Sequence, residues 1–541
     1  MGSTRILTGL LLLLCAALPA RANSQYLVRT DRWTAADERA FGEFVTIIGD
    51  SGCDSVDSCL RGPANPFRAS DPPGARFRAD CADLPYFLRF YYARKRGLPF
   101  SYVSEVSPRG RASDVRYSAR GNVVEQRRDV PSGADGLSVL ARLADDISSA
   151  SYRIDPEREA PLEQDFYSPA LDSGSIRPGT VIYDPNGHLA VVFRVGQDGR
   201  IRYIDAHPDN SLTRGFYDLR FVRASPGMGA GFKNWRPLQL VGTRAVEGIL
   251  FGGTAMLAPN RDLPGFSLAQ YYGTDRQDGG WKNGEFHLRG QKLEYYDYVR
   301  ASLGGGSLSF DPLREISDMV ASNCADLGYR AEAVDAALAA SLQNQPQPER
   351  LPANIYGADG DWETYSTPSR DARLKTAFKN LRDTAERFVI MARTHDPHLA
   401  WRGQNLPAEL LAAYDTAAAR CSLSYVRSDG TRVTFGYEKA RQRLFAMSFD
   451  PYACIERRWG AGGAEAAACR DGTVKRAWYD AEQRLRNQID RTYEAQMDFS
   501  LRELERGRSI GDSRQTIMPG VASPPDTDAR GYLLAVLRSS R

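Results

Sequence analysis

Four residues of the types that carry out thiol chemistry together stand out in the sequence: Cys81, His188, Asp205 and His207. A thiol attacks as its thiolate, so it needs a base to take its proton, and the base needs an orienting group to fix its tautomer. Cys81 lies in the run Asp80-Cys81-Ala82-Asp83-Leu84, and apolar residues at 84, 87, 88 and 91 make one helical face that ends before Gly97 and Pro99. Asp80 is a good N-cap, which places Cys81 at the first helical position. Unpaired backbone N–H groups and the positive end of the helix dipole favour a thiolate there. They are expected to lower its pKa from about 8.5 to between about 3.5 and about 7.5, and they can later hold an oxyanion.

The base comes from a short list, because only five histidines are present, at 188, 207, 287, 395 and 398. Residues 177–209 read as a strand, a Pro185-Asn186-Gly187 turn, a strand opening at His188, a second turn over 196–199 and a third strand. Asp205 and His207 lie two apart on that third strand and share a face. Antiparallel pairing brings one or the other beside His188. The expected arrangement is Cys81 as nucleophile, His188 as base and Asp205 as orienter, with His207 as the second candidate for that last role. His287, His395 and His398 have no comparable setting and read as structural or surface residues.

A chain of 541 residues predicts two to four domains. With 42% hydrophobic and 25% charged residues, the composition excludes disorder as the main state. Seventy basic against 67 acidic residues give no field to draw in nucleic acid or an anionic membrane. Residues 1–22 combine Arg5, an apolar run from Ile6 to Leu18 and Ala20-Arg21-Ala22. That pattern is expected to be a signal peptide, since the run is short of the ~20 residues that span a bilayer. A periplasmic or secreted protein with no integral anchor after cleavage is the expectation.

Cleavage would remove Cys15 and leave an odd set: Cys53, Cys59, Cys81, Cys324, Cys421, Cys454 and Cys469. An odd cysteine in an oxidising compartment suggests a free thiol. Cys53 with Cys59 and Cys454 with Cys469 form local pairs across short loops, and Cys324 with Cys421 can bridge helices, which leaves Cys81. This is one scheme among the several that six cysteines allow.

Short β-like runs dominate up to residue 245, with an insertion expected at about 100–175. A Gly- and Tyr-rich linker or connecting layer is expected over 246–295, and a mainly helical domain with a small hairpin over 296–541. Helices are expected over 311–342, 371–393, 407–420 and 474–507, the last from apolar residues at steps of three or four. The hairpin is expected at Ser422–Ser428 and Thr431–Phe435, around Asp429-Gly430.

The run from Arg177 to Val192, in which Arg177-Pro178-Gly179 precedes a strand and Gly187-His188 opens the next, resembles NlpC-like cell-wall cysteine peptidases and the related CHAP amidases. Asp80-Cys81 is similar to the Asp-Cys of the same families. The sequence departs from them in carrying Ala82-Asp83 after the cysteine and in the long separation of Cys81 from His188. Leu88-Arg89, Arg96-Gly97-Leu98-Pro99 and Tyr203-Ile204-Asp205 resemble transglutaminase-like enzymes instead. Both resemblances imply an α+β fold with a papain-like N-terminal domain ahead of the helical one. The NlpC-like resemblance implies a cysteine hydrolase acting on an amide bond, with a peptide or peptidoglycan-like substrate. The alternatives are acyl transfer with the same trio and a non-catalytic scaffold. The C-terminal domain is expected to position substrate or a partner. No Cys-x-x-Cys pair, HExxH sequence or phosphate loop is present, so no metal or organic cofactor is expected. The arginines between 109 and 128 read as a solvated stretch.

Overall fold

A computed structural model describes residues 24–112, 114–158, 163–275, 280–353, 360–365, 368–490, 497–509 and 515–539. The signal segment expected over 1–22 and Tyr493 of the 474–507 stripe lie outside them. The fold mixes helix and strand, as the α+β expectation requires.

The N-terminal half opens with helices α1 (Ala35–Asp50), α2 (Val56–Arg61) and α3 (Asp83–Arg96). The expected insertion holds a hairpin, β1 (Ser101–Pro108) and β2 (Asn122–Asp129), followed by helix α4 (Gly136–Asp146). Then come β3 (Phe166–Tyr167), β4 (Val181–Asp184), β5 (His188–Val195), β6 (Ile201–Ala206), β7 (Leu212–Phe216) and β8 (Gly231–Trp235). These six strands form one antiparallel sheet in the order β3-β8-β4-β5-β6-β7.

Helices cover the sheet on both faces, which is why β5 reads as a nearly continuous apolar run and not an alternating one. Leu189, Val191, Phe193, Ile204 and Ala206 join Phe44 of α1 and Phe87 of α3 in one core. Ala190, Val192, Ile201 and Tyr203 point the other way and pack with Tyr295, Tyr298 and Val299. By the same alternation, His188 and Asp205 lie on this second face.

The domain boundary expected at 245/246 falls inside a hairpin, β9 (Leu238–Val246) with β10 (Ile249–Leu257). Backbone bonds from Leu240 to Asp31 and from Leu250 to Val28 tie this hairpin to the N-terminal core. The short helix α5 (Ala269–Tyr272) and the small hairpin of β11 (Phe286–Leu288) and β12 (Gln291–Leu293) follow.

The second half is mainly helical: α6 (Tyr295–Leu303), α7 (Pro312–Ala339), α8 (Gly360–Tyr365), α9 (Pro368–Arg393) and α10 (Leu406–Ala418), with a last helix at Ala529–Ser539. Asp311 caps α7 and Asn405 caps α10, and each has a proline in the first turn, where the missing N–H costs nothing. Ile316, Val320 and Leu327 of α7 share a core with Phe378 of α9, Leu410 of α10 and Leu533 of the last helix. The hairpin forms as β13 (Ser422–Val426) and β14 (Arg432–Gly436), with Gly430 at φ 88° in its turn.

The long helix expected over 474–507 does not form. The chain is helical at Thr473–Ala481, Gln483–Asn487 and Leu501–Arg506, and Gln488 is extended. Its apolar residues Trp478, Leu485, Met497, Phe499 and Leu504 fold around a compact cluster with Trp362 and Phe449, which a straight rod could not reach. Ser500 and Glu503 form a capping box that starts the final segment afresh. Among the described residues no helix is long and apolar enough to cross a membrane.

Helix α1 lies so close to β5 that a Cβ on Gly49 would sit 2.2 Å from Cγ and 2.5 Å from Cβ of Phe193. On helix propensity alone Gly49→Ala should stabilise by about 0.5–1 kcal/mol. The contact reverses the sign: Gly49→Ala is expected to destabilise the protein by about 1–3 kcal/mol in urea unfolding, with part of the loss restored by also making Phe193→Leu.

Candidate functional site

Cys81 is held at the mouth of α3 by its neighbour. Asp80 Oδ1 accepts from the N–H groups of Ala82 and Asp83 at 2.8 and 3.0 Å, and the Asp80 carbonyl accepts from Leu84. Regular helix begins two residues later than expected, at Asp83, yet Asp80 does the capping. That capping consumes most of the N–H groups expected to bind an oxyanion. The Cys81 N–H is the one left without a partner among the described residues.

His188 is positioned by the β4–β5 turn. Asp184 pairs with His188, and Gly187 takes φ 88° between them, a conformation that favours glycine. A side chain there would also meet the Tyr117 hydroxyl at 3.2 Å. The buried Arg153 clamps the turn by donating to Pro185 O at 2.7 Å and to the Tyr183 hydroxyl at 3.3 Å. Cys81 Sγ lies 3.9 Å from Gly187 O, so the sulfur sits against the backbone that carries His188.

On the sheet face, His188 Nε2 and Asp205 Oδ2 are 2.7 Å apart. Asp205 Oδ1 accepts from the hydroxyl of Thr213, its direct cross-strand partner on β7. Thr213 Oγ1 in turn is 2.9 Å from His207 Nε2. The structure thus brings all four expected residues together and separates their roles. Asp205 contacts His188 directly, whereas His207 reaches Asp205 only through Thr213 and stacks on Tyr329 of α7 with ring centroids 3.8 Å apart. With Nε2–H donated to Asp205, Nδ1 is the nitrogen of His188 left to act as a base.

Electrostatics overturn the expectation of a lowered thiol pKa. Burial pushes the Cys81 thiol well above its ordinary value, and the Asp80 carboxylate adds to the rise, while the Leu189 N–H opposes both. Burial, and then the Arg373 guanidinium, hold His188 below its usual 6.5 despite the hydrogen bond to Asp205. Burial drives His207 down to about 3. For Asp205, burial alone would favour the neutral acid, but the hydrogen bonds from His188 and Thr213 oppose it and help keep the carboxylate ionised. At neutral pH the resting site therefore holds a neutral thiol, a neutral imidazole and a buried carboxylate.

Cys81, His188, Asp205 and His207 line one cavity of about 230 Å³. Its other walls come from the expected insertion, through Tyr117 and Ser148, and from the helical half, through Tyr329 and Arg330 of α7 and Arg370 and Arg373 of α9. Sequence reasoning missed this far wall. No local signal marked it: Arg330, 3% exposed, is one of several polar residues on the buried face of α7, with Glu315 and Asn323. The arginines of the insertion are not uniformly solvated either, since Arg127 donates to the buried Asp165 at 2.7 Å. His287, His395 and His398 stay outside the cavity.

The cysteines pair as Cys53–Cys59, Cys324–Cys421 and Cys454–Cys469, and Cys81 is the only described cysteine outside a disulfide. Among the described residues one group has metal-capable spacing, Cys454, Glu456 and Cys469, but two of its three members are joined in a disulfide. The site predicts a specific alkylation pattern. Unfolded, non-reduced protein should take up iodoacetamide at Cys81. In native protein at pH 7 the same residue should react more slowly than a cysteine in a short peptide and accelerate as the pH rises into the alkaline range. Rapid native labelling at pH 6 would show a thiolate instead. Compared with known proteins, the chain matches no family model, no curated protein and no solved structure.

Proposed function

We propose that the protein is a cysteine hydrolase that cleaves an amide bond with Cys81, His188 and Asp205. One observation carries this reading: the chain's one free described thiol opens onto the same cavity as a histidine whose far nitrogen is bonded to a buried carboxylate. His188 Nδ1 takes the Cys81 proton as the sulfur attacks the carbonyl carbon, and Asp205 stabilises the imidazolium that forms. The Cys81 N–H donates to the developing oxyanion. The tetrahedral adduct collapses to a thioester as His188 passes its proton to the departing amine. Water, deprotonated by His188, then releases the acid and restores the thiol.

The fold around these residues is read as papain-like, and peptide, above all cell-wall peptide, is the proposed substrate, on the strength of the Arg177–Val192 and Asp80-Cys81 resemblance. A periplasmic or secreted location fits the three disulfides.

Assay on peptidoglycan fragments, with free-amine release as the readout, tests the reading. Cys81→Ala should abolish activity, and His188→Ala should lower kcat by about 10²–10⁴-fold. Asp205→Asn should fall in the same direction with KM little changed. The pH profile has a definite sign. His188 is the neutral base above a pKa below 6.5, and Cys81 stays a thiol until well into the alkaline range. The kcat/KM curve should therefore rise on the acid side of 6.5 and stay flat through pH 8, rather than form a narrow bell. Transfer to an added amine in preference to water would move the assignment to acyl transfer. Undiminished activity in Cys81→Ala would end it.

A further inference from the structure

The cavity holds more cationic side chains than its reaction needs, and their partners are unequal. Arg214 spends its guanidinium on the carbonyls of Gly49 and Cys53. Arg220 is paired with Asp218 and Asp326, and Arg116 with Asp114. Arg330 binds Asp371 through Nε and Nη2, but its Nη1 is buried with no hydrogen bond. Arg373 makes no hydrogen bond with any described residue. Its nearest carboxylate is Asp184 at 3.6 Å, and its plane lies over Phe221, the ring that also faces His188. Both arginines come from the helical half and line the same cavity as the thiol.

An under-bonded guanidinium at low exposure is costly unless something pairs with it. Guanidinium pairs with carboxylate through two parallel N–H···O bonds, and Arg373 commits no N–H to a hydrogen bond with a described residue. We propose that this wall is a carboxylate-binding subsite, in which Arg373, backed by Arg330, grips an acidic side chain of the substrate close to the bond that Cys81 attacks. Only the last clause rests on the hydrolase reading. A singly charged carboxylate is favoured over phosphate because Asp205 and Asp326 line the same cavity and Asp184 lies 3.6 Å from Arg373, and these would oppose a second negative charge. Pairing would also offset the Arg373 charge that holds His188 down, so substrate binding would strengthen the base when it is needed.

The test uses the full mature chain carrying Cys81→Ser, so that nothing turns over. N-acetyl-Ala-Glu-Ala amide, its glutamine counterpart and its phosphoserine counterpart are titrated calorimetrically. The glutamyl peptide should bind at least about tenfold more tightly than the glutaminyl one. That preference should vanish in Arg373→Gln and return in part in Arg373→Lys, whose charge is kept. Equal binding of the acidic and amide peptides, binding of neither at millimolar concentration, or a preference unchanged in Arg373→Gln would overturn the subsite. Tighter binding of the phosphoserine peptide would overturn the choice of carboxylate. The two readings fail separately. Acid-selective binding without cleavage by the wild-type chain would sink the hydrolase and leave the subsite. Cleavage with no acid preference would do the reverse.

Discussion

Asp205 stays ionised with a side-chain exposure of 4%, and most of the surrounding architecture is what that charge requires. An isolated carboxylate at such depth would take up a proton, so its two oxygens must each be satisfied. One is met by His188 and the other by Thr213, which works only if β5, β6 and β7 keep the register that sets Asp205 opposite Thr213. The Thr213 oxygen then accepts from His207, and His207 is pressed flat by Tyr329 from the helical half. A chain of contacts thus runs from a thiol at a helix mouth, through the sheet, to a helix more than a hundred residues further along the sequence.

That dependence explains what could be read from the sequence. The β4–β5–β6 meander was legible because its turns, its β-branched runs and the two-residue spacing of Asp205 and His207 are local. Two of the three disulfides were legible because they close short loops, whereas Cys324–Cys421, 97 residues apart, was only one of several schemes left open. The starts of α7 and α10 were marked by a capping Asp311 and Asn405 with proline behind them. The far wall of the cavity was not legible. Arg330, Arg370 and Arg373 have ordinary helical spacing, and only the docking of α7 and α9 over the sheet makes them part of a site. The raised thiol of Cys81 escaped for the same reason, since a helix start is a local feature and desolvation is not. In 474–507 the apolar period runs on through a break, and the Ser500-x-x-Glu503 capping box was the readable sign of a second start.

Buried charge helps hold the helical half in its pose. The Arg330–Asp371 pair joins α7 to α9 with side-chain exposures of 3% and 4%. Such a pair adds little net stability, because desolvation cancels much of the attraction, but breaking it strands a charge. It therefore acts against sliding of one helix along the other more than against unfolding. Since Tyr329, Arg330, Arg370 and Arg373 flank that joint, the shape of the cavity follows the joint.

Burial of the Cys81 sulfur has one more consequence, which concerns how the chain matures and not what it does once folded. Seven cysteines follow the segment expected to be removed, and in the structure six of them are paired while Cys81 is not. Disulfide exchange is carried by thiolates, and a sulfur that stays protonated and walled in is a poor partner for it. The environment that slows Cys81 as a nucleophile also shields it from capture by Cys53 or Cys59, which lie close before it in the sequence. Once α3 has docked on the sheet, the odd thiol is sorted from the six by its surroundings alone.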